Sequence, residues 1–393
     1  MINIPVEPPV TEYLHAKAAY LGIPLSGTFE LTPCCNMVCK MCYVRMTPSE
    51  QAAIAPLRTA REWLELGKAA KDAGMVYLLL TGGEPFLRPD FQEIFQGLHR
   101  MGFVLSINTN GTMINEETVQ WLVQTPPNRI NLTLYGTSDE TYARLCGNPQ
   151  GYTQAVRAVR LLKEAGISVR INCSLTPQNA ADAEGIFAFA KQEGLLVQAT
   201  SYMFPPLRRD ENMVGCNARF APREAAYESA KIISLMYGEE EFLARVERGL
   251  PPIPGDMEDC PELRPEGEGI RCRAGKCSFW ITWTGNMTPC GMLPMASFAN
   301  VFEVGFDQAW QQNRAYADSI RLPAKCAGCE ARDHCKACAA MVFTETGDYQ
   351  TVPQYRCDMT KAYPAACKQL AAEIINRRHQ SQSQIPTIER KRL

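Results

Sequence analysis

From Leu25 onward the chain alternates short apolar runs with segments of helical periodicity. LSGTFELT (25–32) reads as a first strand feeding a cysteine-rich loop. REWLELGKAAKDAG (61–74) places its apolar residues at helical spacing and stops at Gly74. MVYLLL (75–80) is a short apolar run entering TGGEP (81–85), a strand meeting a loop. The same rhythm returns in FQEIFQGLHRMG then FVLSINTNG, and in EETVQWLV then RINLTLYG. It continues in YTQAVRAVRLLKEAG then ISVRINCSLT, and in AEGIFAFAKQEG then LLVQATSYMF. Strands alternating with helices predict a parallel sheet with crossover helices. Six such units over roughly residues 26–205 fall short of the eight of a closed barrel.

Beyond that pattern the chain changes character. PPLRRDENMVG (205–215) and PPIPGDMEDCPELRPEGEG (251–269) read as linkers on either side of a helical segment near 222–247. A further helix is expected near 361–378, followed by a polar tail, HQSQSQIPTIERKRL. The expected divisions are an N-terminal extension (1–25), a partial barrel (26–215), a helical linker region (216–270), a cysteine-rich domain (271–370) and a helix end with tail (371–393).

Charge narrows the function classes. Forty basic and 42 acidic residues leave a net charge of −2, so nothing favours a nucleic-acid partner. MINIPVEPPV has neither a basic nor an apolar targeting region, and no apolar run reaches the roughly 18 residues of a membrane span. A cytoplasmic location away from membranes is expected. Seventeen cysteines are then unusual, because a reducing compartment keeps thiols from forming a disulfide framework. Soft thiolates at short spacing suit zinc or iron–sulfur clusters.

Cys35, Cys39 and Cys42 stand as CxxxCxxC at the end of the first strand. Three thiolates on one loop hold three corners of a [4Fe–4S] cube and leave one iron open, whereas a purely electron-carrying cluster takes four. A structural zinc site that also recruits Cys34 is the alternative, although only Cys39 and Cys42 have CxxC spacing.

In these residues and in GGEP (82–85) the sequence resembles the radical S-adenosylmethionine (radical SAM) superfamily, an α/β class built on a partial (β/α)6 TIM-like barrel. The resemblance implies that Cys35, Cys39 and Cys42 bind the radical cluster, that Met41 packs near adenine, that Gly82 and Gly83 let the backbone approach the ligand closely, and that Glu84 accepts a bond from the methionine ammonium. It extends to Asn108 and Thr109 of NTNG, to Thr133 of TLYG, and to Arg144, Asn172 and Ser174 as further cofactor contacts. Tyr135 stands where relatives often carry an aspartate.

The second cysteine group carries another resemblance. Cys272, Gly285 and Cys290 fit C-x12-G-x4-C, and Cys326, Cys329, Cys335 and Cys338 follow as CxxC-x5-CxxC, then Cys357. This is similar to a SPASM domain, with one interval of two residues where three are usual. The resemblance implies two auxiliary [4Fe–4S] clusters: one on Cys272, Cys277, Cys290 and Cys338, the other on Cys326, Cys329, Cys335 and Cys357. A zinc ribbon on Cys326, Cys329, Cys335 and Cys338 would leave the other four unexplained. Cys34, Cys146, Cys173, Cys216, Cys260 and Cys367 are then left for core packing, and His334 reads as a loop residue. Cys173, within a strand, would become a hydrogen-atom donor only if it pointed inward.

The family likeness implies a 5′-deoxyadenosyl radical that takes hydrogen from a substrate, with S-adenosylmethionine and three clusters as cofactors. Auxiliary clusters favour net oxidation, such as thioether or carbon–carbon cross-linking of a ribosomally made peptide. An electron donor such as flavodoxin or ferredoxin is implied. With some 25 residues before the first strand, a leader-binding protein is expected to be separate. Gly291 follows Cys290 where sulfatase-maturating relatives carry aspartate, which disfavours formylglycine formation. A dehydrogenase of small alcohols or sugars and a peptide epimerase are alternatives. A non-catalytic electron carrier is another class, and GGEP argues against it.

Overall fold

The computed structural model describes residues 9–249, 269–293, 298–331, 335 and 337–383. Cys260, His334 and most of the second expected linker lie outside the described residues.

Helix α1 (Pro9–Leu21) precedes strand β1 (Ser26–Glu30). Helices α2 (Pro48–Ile54) and α3 (Ala60–Asp72) lead to β2 (Tyr77–Thr81), and α4 (Phe91–Arg100) leads to β3 (Val104–Thr109). Then come α5 (Glu116–Gln124), β4 (Arg129–Thr133), α6 (Asp139–Cys146), α7 (Gly151–Glu164) and β5 (Val169–Ser174). Helix α8 (Ala183–Glu193) and β6 (Leu196–Thr200) complete the repeating part, followed by α9 (Pro222–Tyr237) and α10 (Glu239–Arg248). The C-terminal part holds a hairpin of β7 (Ser278–Ile281) and β8 (Met287–Thr288), then α11 (Val301–Val304), α12 (Phe306–Ser319), α13 (Ala324–Ala327), α14 (Ala339–Thr346) and α15 (Gln354–Ser383).

The six expected strands all form, in sequence order and parallel. Local signals start several helices: the Thr47 and Thr59 hydroxyls accept the N–H of Glu50 or Glu62, and each threonine donates its own N–H back to that glutamate's carboxylate. Along the strands, Leu105, Ile107, Leu132, Ile171 and Val197 are buried in the main core. Ser106, Asn108, Thr133, Asn172, Ser174 and Gln198 alternate with them, are half-buried, and make the inner face polar.

The sheet does not end at β1. β7 pairs with β1 in parallel, Ser26 opposite Ser278, and β8 returns antiparallel, so the order is β6-β5-β4-β3-β2-β1-β7-β8. The barrel sheet therefore runs into the C-terminal cysteine-rich part. The sequence pattern does not predict this hairpin, α1 or α12. α12 buries Phe306, Ala309, Trp310, Asn313 and Ala317, a helical spacing diluted by its polar residues. The expected helix at 222–247 is two helices broken at Gly238, whose φ is 87°. The final helix is longer than expected and runs through Pro364. Its buried face, Met359, Tyr363, Cys367, Leu370 and Ile374, outweighs the one backbone bond that a proline removes.

Candidate active site

The loop after β1 carries Cys35, Cys39 and Cys42, all half-buried. Its path is set from the C-terminus of α6: Val38 donates its N–H to the Cys146 carbonyl at 2.7 Å and Lys40 to Leu145 at 3.1 Å. Backbone N–H groups point at the sulfurs, Met37 to Cys35 Sγ at 3.4 Å and Arg45 to Cys42 Sγ at 3.3 Å. Burial pushes the Cys35 thiol up to about 12, with the charges of Glu84, Cys39 and Cys42 adding to it. The Cys39 thiol is raised too, first by its hydrogen bond with the Cys146 thiol. Three converging soft donors with N–H groups aimed at two of them, in surroundings that disfavour bare thiolates, fit a [4Fe–4S] cluster.

Cys34 serves this loop through its backbone. Its carbonyl accepts the Glu84 N–H at 2.9 Å, and the Thr32 carbonyl accepts that of Gly83 at 2.6 Å. A Cβ on Gly82 would meet the Thr32 carbonyl oxygen at 2.4 Å, and one on Gly83 the Cys34 oxygen at 2.3 Å. The two glycines thus allow the GGEP backbone to lie directly on the cysteine loop.

Glu84 is fully buried. Its carboxylate accepts the Thr109 hydroxyl at 2.8 Å, the Asn110 N–H at 2.8 Å and the Phe86 N–H at 3.1 Å. Burial nevertheless raises its carboxyl to about 7. Asn110 completes the link, its side-chain amide donating to Asn36 at 2.9 Å and to Cys35 Sγ at 3.7 Å. Within NTNG the family resemblance points to Asn108 and Thr109, and the structure adds Asn110.

The remaining expected cofactor contacts spread over three strands and one helix. Asn108 accepts from the Asn131 amide at 2.8 Å on the inner face. Asn172 has a buried side-chain oxygen with no protein partner, which suits a polar ligand there. The Thr133 and Ser174 carbonyls accept from Tyr142 at 3.4 Å and Asn179 at 3.1 Å, leaving neither hydroxyl engaged by those bonds. Arg144 donates to the Gln178 carbonyl at 2.7 Å, and Met41 is buried in the main core. Cys173 lies in the same core as Ile171, near Tyr142 of α6, so it faces the helix layer. The inward orientation on which its hydrogen-donor role depended is not found.

In the C-terminal part, Cys290 and Cys338 lie close to Cys272. Burial lifts the Cys290 thiol to about 11 and the Cys338 thiol to about 12, and their neighbouring sulfurs push the same way. Cys277 is fully buried beside Ala18, Ala19 and Leu25, whereas Cys272 and Cys290 border the cluster of Ile270, Ala317 and Val342. Cys357 gathers Cys335, Cys326 and Cys329 around it. Cys272, Cys290 and Cys338 thus act on one another electrostatically, as do Cys357 and Cys326, Cys329 and Cys335, in two sets drawn from residues distant in sequence.

Residues 29–190 match the family model of the radical SAM superfamily. Residues 272–339 match SPASM, an iron–sulfur cluster-binding domain. The chain is a radical SAM enzyme with a C-terminal SPASM domain. These domains imply bound [4Fe–4S] clusters and S-adenosylmethionine. An AdoMet-dependent heme synthase of Methanosarcina barkeri is 25% identical over 348 residues, 84% of this chain and 95% of the relative. A PqqA peptide cyclase of Gluconobacter oxydans is 23% identical over 334 residues, 82% of this chain and 87% of the relative. Among solved structures, Streptococcus suis SuiB bound to precursor peptide SuiA has a TM-score of 0.64 at 18% identity, over 87% of this chain and 78% of that one. Native anSMEcpe with bound AdoMet has a TM-score of 0.65 at 17% identity, over 90% of this chain and 100% of that one. At these identities the structural likeness speaks for the fold. Among the described residues, no helix of this radical SAM enzyme is long and apolar enough to cross a membrane.

Proposed function

We propose that this enzyme oxidises a ribosomally made peptide, joining two of its side chains by a thioether or carbon–carbon bond. The observation that carries the reading is the convergence of Cys272, Cys290 and Cys338 on a hairpin continuous with the barrel sheet. An oxidation needs an electron acceptor beside the radical site, and these thiols supply ligands for one. In this reading Cys35, Cys39 and Cys42 hold the radical cluster. Cys272, Cys277, Cys290 and Cys338 hold the first auxiliary cluster, and Cys326, Cys329, Cys335 and Cys357 the second.

Cys35, Cys39 and Cys42 would hold the cluster and Glu84 would face S-adenosylmethionine, which together would supply radical chemistry for hydrogen abstraction. The chain itself binds and orients. Glu84 takes the methionine ammonium, and Asn108, Thr109, Thr133, Arg144, Asn172 and Ser174 form the rest of the cofactor pocket. Gln198, half-buried on the inner face, adds an amide that can both donate and accept, as a peptide backbone requires. A flavodoxin or ferredoxin would supply electrons, and a separate protein would bind the leader, all in the cytoplasm. The likeness to a PqqA peptide cyclase, and to SuiB bound to its precursor peptide, supports a peptide substrate.

A second reading, a heme-forming reaction, draws support from the Methanosarcina relative, 95% of whose length aligns with this chain. Epimerisation loses support because Cys173 faces the helix layer. The test is mass spectrometry of a short peptide encoded beside the gene, incubated with reconstituted enzyme, S-adenosylmethionine and reductant. Loss of two hydrogens is expected, and Cys290→Ala or Cys338→Ala should keep S-adenosylmethionine cleavage while blocking product. Deuterium uptake from solvent without hydrogen loss would overturn cross-linking in favour of epimerisation. An unchanged peptide with turnover of an iron porphyrin would favour the heme reading, and turnover of a small alcohol the dehydrogenase.

A further inference from the structure

The segment PPLRRD (205–210), expected to be a linker, runs between the two thiol-bearing loops. Arg208 donates from Nη1 to the carbonyl of Gly291, the residue after Cys290, at 2.9 Å. Its Nη2 pairs with Glu30 at 2.7 Å, and its guanidinium carbon lies 5.6 Å from the ring centroid of Tyr43, the residue after Cys42. Arg209 donates to the Cys42 carbonyl at 3.3 Å. Consecutive arginines thus hold the backbones of the radical-cluster loop and of the Cys290 loop.

The arrangement is almost dry. The Arg208 and Glu30 side chains are 3% and 0% exposed. The second Glu30 oxygen accepts the Trp280 indole N–H at 3.0 Å. That indole lies against Gly291, where a Cβ would meet it at 2.5 Å. A buried ion pair is seldom more stabilising than well-packed apolar groups of the same volume. Its presence here points to a task other than stability. A positive charge beside thiolate-ligated iron favours the more negative, reduced form, and a low-dielectric setting strengthens the effect.

We propose that Arg208, anchored by Glu30, is a positioning residue that sets the spacing of the Cys42 and Cys290 loops and raises the reduction potential of the iron–sulfur centre at Cys290. The inference rests on the reading of Cys290 as an iron ligand. The test is a potentiometric titration of the reconstituted full chain followed by electron paramagnetic resonance, with iron content measured in parallel. Arg208→Gln should shift the Cys290 centre to a more negative potential and leave the centre on Cys326, Cys329, Cys335 and Cys357 unmoved. Arg208→Lys, which keeps the charge, should stay closer to the parent. Because Arg208→Gln leaves Glu30 buried without this partner, E30Q/R208Q keeps the charge balance and carries the measurement if the single variant loses iron. A smaller shift of the same sign is expected from it, since Arg208 bonds the Gly291 carbonyl beside Cys290 directly and Glu30 reaches that loop only through Trp280.

Iron near twelve atoms per chain with an unshifted Cys290 centre in both glutamine variants would overturn the role of Arg208 and leave the ligand reading standing. Iron near four atoms in the parent chain would overturn both.

Discussion

Glu84 and Thr109 meet at 2.8 Å, hydroxyl to carboxylate, and so tie the loop after β2 to the end of β3. The adjacent Asn110 bonds the same carboxylate through its N–H and Cys35 Sγ through its side chain. The group assigned to the methionine ammonium and the first sulfur of the cluster loop are therefore joined through one residue.

A pH dependence follows. The Glu84 carboxyl titrates near 7 when folded without ligand, against 4.5 ordinarily, because burial disfavours its charge. Its contribution to ligand-free stability is full below about 4.5 and is lost as pH rises through about 7. An ammonium partner needs the ionised form, so the sign reverses for binding. S-adenosylmethionine affinity should rise about tenfold per pH unit up to about 7 and level off above it. Calorimetry on reconstituted enzyme checks this, and Glu84→Gln should bind weakly with no such slope.

The cysteine loop leans on two glycines. Gly82→Ala and Gly83→Ala would push a Cβ onto backbone oxygens at 2.4 and 2.3 Å, which cannot move as a side-chain tip does. Each should cost about 1–3 kcal/mol of stability and lower iron retention at the radical cluster first. Thermal melts with iron analysis measure both effects.

Replacing Cys35, Cys39 and Cys42 together with alanine should abolish 5′-deoxyadenosine formation under strong reductant. Iron should fall from about twelve to about eight atoms per chain, since the C-terminal thiols form separate groups. Retained cleavage would mean that the radical cluster is held elsewhere.

Arg219 and Glu345 form a nearly buried pair at 2.5 Å, and Glu345 also accepts the Tyr202 hydroxyl at 2.6 Å. They join α14, just after Cys338, to the segment following β6. Arg219→Ala leaves that carboxylate buried without its counter-charge and should cost about 3–5 kcal/mol. Urea unfolding should register the loss. An R219M/E345L double variant should recover most of it.

Much of this protein was legible in its sequence because the signals are local. Strand and helix periods depend on neighbouring residues, so the six parallel strands and their helices could be read directly. CxxxCxxC and GGEP were legible for a similar reason: a loop that gathers thiols and a backbone that must lie close to another each need fixed residue types at fixed spacing. The tertiary structure decided what depends on distant segments meeting. Only the pairing of Ser26 with Ser278 reveals that the C-terminal hairpin extends the barrel sheet. Only packing turns Cys173 toward the helices, because a strand's alternation leaves open which face is inside until the helices cover one. The Cys146 contact with Cys39, and the reach of Arg208 to Glu30 and Gly291, join residues far apart in the chain. No spacing rule links such residues, and their meeting depends on how the whole sheet closes.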